Sequence, residues 1–399
     1  MALYPTLLDS PTTFEDFLVA TRRHLHQHPE VGFHEHQTYR FIRETLIAHG
    51  LAPAGPLATT GLYVDINGAL PGPHIGYRAD IDALPIQDAK TRPYASQTPG
   101  VAHLCGHDVH TTIALGIAIR LHERRDELRG GVRVYFQPNE EGVPSGAPVM
   151  IRDGVLDGLE AAYALHVDPT LASGKIGLIK GAMTASSVRF QVEIKGPSTG
   201  HSARPHETSD TIWIATQILN VFYQLTGRVS DARDATVLTA CRIHAGDAYN
   251  VIPDFIEFGG TLRSTSIPTS ERIQLQMRTA AEEICARHGA TATVNFDEGV
   301  PPVINDGRLI DHIERSIART AGAQTIFHIP RPSMGAEDFA HYQRQLPGAM
   351  VRLGSSSSAA TSYPLHDSHF DIDESVMPFA IDVLSQVLID HLNNDPLAR

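Results

Sequence analysis

Cysteine is scarce in this 399-residue chain: there are three, at positions 105, 241 and 285, far apart and odd in number. That spacing excludes a disulfide framework and suits a reducing compartment. Basic residues are outnumbered, 32 Lys and Arg against 45 Asp and Glu, giving a formal net charge of −13. A deficit of positive charge argues against nucleic acid or an anionic membrane surface as partner. No apolar run approaches the roughly 18 residues that a bilayer span requires, and Met1–Ser10 lacks the basic start and apolar stretch of a secretory leader. The expectation is a cytoplasmic protein. Internal repeats are absent too, and the one low-complexity patch, Ser355–Ala360, reads as a loop.

What is present is apolar residue in quantity, 42% of a chain long enough for two cores. Residues 13–50 carry Phe14, Phe17, Leu18, Leu25, Phe41, Ile42 and Leu46 at helical spacing, interrupted at Pro29 and Gly32. Whether the polar residues of that interruption line a site or only join two helices stays open. Strands are predicted at Gly61–Ile66, His74–Arg78, Val132–Gln137 and Ala161–Leu165, with a buried helix at Thr111–Arg120, and Asp108 reads as its cap. Alternation of strand and helix predicts an α/β fold with a mostly parallel sheet. From Ser187 the order becomes βαββαβ, that of an inserted ferredoxin-like unit. The predicted division is therefore 1–186 with 298–399, and 187–297 for the insert.

The chemistry concentrates in His103-Leu-Cys105-Gly-His107-Asp-Val-His110, three imidazoles and a thiol within eight residues. Neutral imidazole and thiolate are preferred ligands of zinc and its neighbours. The alternative is a His-rich surface loop in a chain with 22 His. Other ionisable residues fall beside predicted strand ends: Asp80 and Asp82, Glu140 and Glu141, and His166, with His366 in a later loop. Ligands in such sheets sit outside the carboxyl ends of the strands. Cys105, His107, Glu141, His166 and His366 would supply five ligands for two divalent ions. Of the adjacent acids, Glu141 would then ligate while Glu140 takes a proton from water. In the insert, His201 lies in a Gly- and Pro-bounded loop, and Asn250 and Arg263 flank a strand. An oxyanion donor and a carboxylate clamp compete there with ordinary exposed side chains.

Taken together, Arg78-Ala-Asp80-Ile-Asp82-Ala-Leu-Pro85, Leu104-Cys-Gly-His-Asp108, Phe136-Gln-Pro-Asn-Glu-Glu141, Gly200-His201, Asn250-Val-Ile-Pro-Asp254, Gly260-Thr-Leu-Arg263 and Met334-Gly-Ala-Glu-Asp-Phe339 resemble a known constellation. It is that of the amidohydrolase branch of the aminoacylase and carboxypeptidase-G-type metallopeptidases, with its hippurate, N-acyl-amino-acid and auxin-conjugate hydrolases. The resemblance implies a two-metal catalytic domain carrying a lid and dimerisation domain. It implies hydrolysis of N-acyl or N-aroyl amino acids, with a dipeptidase or carboxypeptidase on short peptides as the alternative. It matches Cys105, His107, Glu141, His166 and His366 to the metal ligands, Glu140 to the general base and Asp80 to the supporting acid. His201 corresponds to a histidine reaching the neighbouring subunit's site, and Asn250 and Arg263 to the substrate-carboxylate positions. The implied cofactor is two divalent ions per chain, zinc first, with manganese, cobalt and nickel also compatible. The implied assembly is a homodimer, or a tetramer built from it.

Overall fold

The computed structural model describes residues 13–394, 396 and 397; Met1–Ser10, read above for a leader, lies outside them. The chain forms two compact units. The first comprises residues up to Gly181, then Ile304–Pro330 and His341 onward; the second comprises Ala182–Val303 and Arg331–Ala340.

In the first unit, helix α1 (Phe14–Gln27) starts where the Thr13 hydroxyl accepts the Asp16 N–H at 3.0 Å. Its buried Phe14, Phe17, Leu18 and Leu25 form one stripe, and α2 (His36–Ala48) follows the Pro29–Gly32 break. The strands are β1 (Ala54–Leu57), β2 (Gly61–Asn67), β3 (Leu70–Asp80), β4 (Arg129–Gln137), β5 (Ala161–Ala172) and β6 (Ile176–Leu178). With the strands Gly348–Ser356 and Ile326–His328 they form an eight-stranded sheet. Its order is β1, β2, β4, β3, β5, Gly348–Ser356, β6 and Ile326–His328, with the centre parallel from β4 to Gly348–Ser356. The parallel strands are buried on both faces, as β4 and β5 show by near-continuous burial. Helix α3 (His107–Glu123) is apolar on nearly every side and lies in the core.

Two local expectations are corrected. Asp108 does not cap α3. The helix opens on Gly106, whose φ of +88° suits glycine and whose added Cβ would lie 2.4 Å from Val167 Cγ2. Asp108 sits inside the helix and turns instead to Arg22 (2.9 Å) and His26 (2.7 Å), with Arg22 also reaching Asp371 at 2.8 Å. Second, β5 continues to Ala172, so His166 lies within the strand and not beyond its end.

The second unit has a four-stranded antiparallel sheet in the order Thr236–Ala245, Phe255–Ser264, Val188–Lys195, Thr291–Phe296. Helices Thr211–Arg228 and Ile267–Arg287 complete the ferredoxin-like arrangement. Asp210 and Ser266 cap them by accepting the N–H groups of Trp213 and Thr269. Phe190, Val192, Phe222, Phe258, Ile273 and Met277 fill the core between helices and sheet. The unit also takes in Arg331–Ala340, which the sequence places with the catalytic part. Main-chain bonds account for this: Ser333 N–H donates to Met183 O (2.9 Å) and Ala185 N–H to Gly335 O (3.1 Å). Among the described residues, no helix is long and apolar enough to cross a membrane.

Candidate metal centre

The first unit brings Asp80, Cys105, His107, Glu140, Glu141, His166 and His366 into overlapping clusters. Ligand atoms lie within 4.8 Å of one another in the sets Cys105–His107–His166, Cys105–Glu141–His366 and His107–Glu140–Glu141. Each side chain is aimed by its own element. Cys105 and His107 flank the Gly106 turn into α3, Glu140 and Glu141 follow β4, and His166 projects from β5. His366 has a φ of +68° and is tied to the Cys105 loop by its N–H, which donates to Leu104 O at 2.8 Å. A bulky residue held in the left-handed region is a strain of order 1–3 kcal/mol, of the kind found at binding sites.

Hydrogen bonds fix which ring nitrogens are available. His107 Nδ1 faces two acceptors, Asp82 O (2.9 Å) and Asp82 Oδ1 (3.1 Å), so it carries the proton. Its Nε2 is buried and has no hydrogen-bond partner among the described residues, 3.7 Å from Asp80 Oδ2. His166 donates from Nδ1 to Val167 O (2.8 Å) and turns Nε2 toward Cys105 Sγ (3.5 Å). Glu141 Oε1 meets His366 Nε2 at 3.0 Å. Buried imidazoles with one nitrogen held by an oxygen and the other turned inward are the usual form of metal-ligating histidine. The donor set of thiol, imidazole and carboxylate fits zinc or a neighbouring divalent ion.

His110 is nearby yet committed elsewhere. Its Nδ1 donates to Asp80 Oδ1 (2.6 Å), and its Nε2 accepts the Val167 N–H (3.0 Å). Both nitrogens are used, so the Asp80–His107–His110 grouping is a carboxylate bridge between two histidines. Arg78 completes the support of Asp80 at 2.6 Å, and its Nε donates to Gln137 Oε1 at 2.9 Å. Arg78, His110 and Asp82 all stand in the quoted motifs, His110 among the three clustered imidazoles and Asp82 among the strand-end acids, but their supporting bonds are not legible there. Their signal was adjacency alone, since the bonds that define them link β3, β4, β5 and α3.

The electrostatics match a site for positive charge. Burial, reinforced by Glu141, pushes the Cys105 thiol well up, so a thiolate there requires a cation beside it. Burial alone lowers the His107 ring, but Asp80 and Asp82 hold it well above its ordinary value. Burial, with Arg352 and His110, keeps the His166 ring neutral. The His366 ring is raised chiefly by its hydrogen bond to Glu141. Burial works against the Asp80 carboxylate, but His107, Arg78 and His110 outweigh it and hold its pKa well below normal.

The other three predicted residues lie in the second unit. His201, exposed, pairs with Val251 across a two-stranded ladder, and its Nδ1 accepts the Ala203 N–H at 3.1 Å. Asn250 is beside it, its carbonyl accepting the Ser202 N–H at 3.1 Å. Arg263, half-buried on Phe255–Ser264, donates from Nη1 to Met334 O at 2.9 Å.

A parallel α/β unit with this ligand cluster and a second acid beside it defines a metal-dependent hydrolase. Residues 76–390 match the profile of peptidase family M20/M25/M40, and the chain belongs to that family. It is 37% identical over 366 residues to the N-acetyl-L-cysteine deacetylase of Bacillus subtilis, covering 92% of this chain and 86% of that one. It is 35% identical over 375 residues to the Arabidopsis thaliana IAA-amino acid hydrolase ILR1-like 4, covering 92% and 83%. A solved structure of Bacillus subtilis YXEP, described as a dinuclear metal-binding peptidase of the M20 family, is 35% identical with a TM-score of 0.85, covering 96% and 99%. The protein is a metal-dependent amidohydrolase or metallopeptidase.

Proposed function

We propose that the protein hydrolyses the amide bond of N-acyl or N-aroyl amino acids, releasing a free amino acid and a carboxylic acid. The observation that carries this reading is the likeness, over more than nine-tenths of the chain, to two enzymes named for acylated amino acids. In this reading Cys105, His107, Glu141, His166 and His366 hold two divalent ions, zinc first. When bound, such ions supply Lewis acidity toward a carbonyl and lower the pKa of water.

The chain's own groups do the rest. Glu140, adjacent to a ligand, takes the proton of the attacking water and delivers it to the leaving amine. Asp80, held between His110 and Arg78, orients the centre through the face it presents to His107. Arg263 and Asn250 receive the substrate carboxylate, the guanidinium fork matching it bidentately. His201 donates to the developing oxyanion of a neighbouring subunit in a homodimer.

A panel of N-acetyl and N-benzoyl amino acids beside dipeptides, with the released amine quantified, tests the reading. Turnover of N-acyl amino acids well above dipeptides is expected. Turnover confined to dipeptides would replace it with a peptidase.

A further inference from the structure

The connector 28–36, which sequence alone leaves between a site wall and a plain joint, is tied to both acidic loops of the metal centre. The Glu30 carbonyl accepts the Ala83 N–H at 2.8 Å, next to Asp82. Its carboxylate accepts the N–H groups of Gln37 and Thr38, both at 2.9 Å, and so caps the start of α2. Glu35 stands at the N-cap position itself, where a carboxylate ordinarily does that work. It makes no capping bond. Its side chain turns inward, with no exposed surface, and accepts the Thr60 hydroxyl at 2.6 Å and the Asn139 N–H at 2.9 Å.

Asn139 is the residue before Glu140, and its φ is +51°. It is wedged between two glycines: a Cβ on Gly32 would lie 1.8 Å from Asn139 Oδ1, and one on Gly142 would lie 2.1 Å from it. Its amide donates to Pro144 O at 2.7 Å. On the other side of Glu140, the Glu141 N–H donates to Asp82 Oδ2 at 3.1 Å, and Asp82 is also buried. The main chain is thus held immediately before and immediately after Glu140, by two buried carboxylates from different parts of the chain. Burying a carboxyl group is costly, and the helix end that would offer Glu35 ready partners is served by Glu30.

We propose that Glu35 is a positioning residue for Glu140: with Asp82 it clamps the 139–141 segment and fixes the direction of the base. This rests on Glu140 being the base. The role belongs to a placed acceptor and not to a charge, which two substitutions separate. Glu35→Gln keeps an oxygen for the Asn139 N–H and gives the Thr60 hydroxyl an N–H to accept. Glu35→Asp keeps the charge but withdraws the oxygen by one methylene. Glu35→Met fills the space with no acceptor.

The experiment measures kcat and KM on an N-acyl amino acid, metal per chain, and the visible spectrum of the cobalt-substituted protein, with Glu140→Gln as reference. Glu35→Gln is expected near wild type. Glu35→Asp and Glu35→Met are expected to lose kcat by about 10-fold to 10²-fold, the scale of a displacement near 1 Å, with KM, metal content and cobalt spectrum unchanged. Wild-type kcat in both Asp and Met variants, while Glu140→Gln is inactive, overturns the positioning role alone. Loss in Gln with wild-type kcat in Asp overturns it in favour of charge, and equal loss in all three overturns the claim that a placed acceptor suffices. Loss of metal or an altered cobalt spectrum assigns Glu35 to the ligand shell or the fold. Should Met fail to fold, Asp and Gln decide between them. Full activity in Glu140→Gln overturns the base assignment instead.

Discussion

The His110 ring gives its Nδ1 proton to Asp80 at 2.6 Å and accepts the Val167 N–H on Nε2 at 3.0 Å, whereas the His107 ring, three residues earlier, keeps Nε2 without a hydrogen-bond partner among the described residues. Two histidines on one helical turn are thus divided by their partners into a support and a candidate ligand. His107→Ala is expected to lose metal. His110→Ala is expected to keep it, with stability lower by about 1–3 kcal/mol because Asp80 and the Val167 N–H lose their partner. Metal analysis with urea unfolding distinguishes the two, and metal loss in His110→Ala would contradict the division.

Glu140 and Glu141 are expected to separate in the same way. Proton transfer by a positioned group is worth about 10²–10⁴-fold, so Glu140→Gln should lose that much in kcat at normal metal content. Glu141→Gln should lose metal. The opposite pattern would show the two roles exchanged.

How far the site was legible depends on how far apart its partners lie. The candidate ligands stand out because thiol, imidazole and carboxylate side chains are unusual close to apolar strands, and the two larger sheets follow from strand length and alternation. Asp108 reads as a cap because a carboxylate near a helix start ordinarily caps it, and nothing local announces an arginine 86 residues away. His166 reads as past its strand because apolar run length marks the strand only as far as Leu165, whereas pairing with Gly348–Ser356 carries it further. Arg331–Ala340 joined the second unit through main-chain bonds, which leave no mark on side-chain pattern. Glu35 was invisible for a similar reason: its partners are a hydroxyl 25 residues away and a main-chain N–H 104 residues away.

Burial pushes the Glu35 carboxyl up to about 7 from 4.5, with Asp82 adding to it and the Thr60 and Asn139 hydrogen bonds opposing it. The folded state therefore holds this proton more tightly than the unfolded chain. The contribution is full below about pH 4.5 and is lost as pH rises through about 7, a difference on the order of 3 kcal/mol. Glu35→Gln cannot lose it. The melting temperature of Glu35→Gln relative to wild type is expected to rise between pH 5 and pH 8; a constant difference would contradict the burial of an ionisable group there.

If His201 acts across a dimer interface and Arg263 within its own subunit, each Ala variant alone should be nearly inactive, a lost oxyanion donor costing about 10²–10³-fold. Mixed and allowed to exchange subunits, the two variants should recover up to about a quarter of wild-type activity, since half the dimers are hybrid and each hybrid has one intact site. No recovery despite demonstrated exchange would place both residues on the same subunit relative to a given site.

The most direct measurement is elemental analysis of the purified chain before and after chelation, with amide hydrolysis followed in parallel. About two divalent ions per chain are expected, from five candidate ligands shared between two sites, with activity lost with the ions and restored by zinc, manganese, cobalt or nickel. Protein that carries no metal and hydrolyses its substrate equally well in chelator would contradict this expectation.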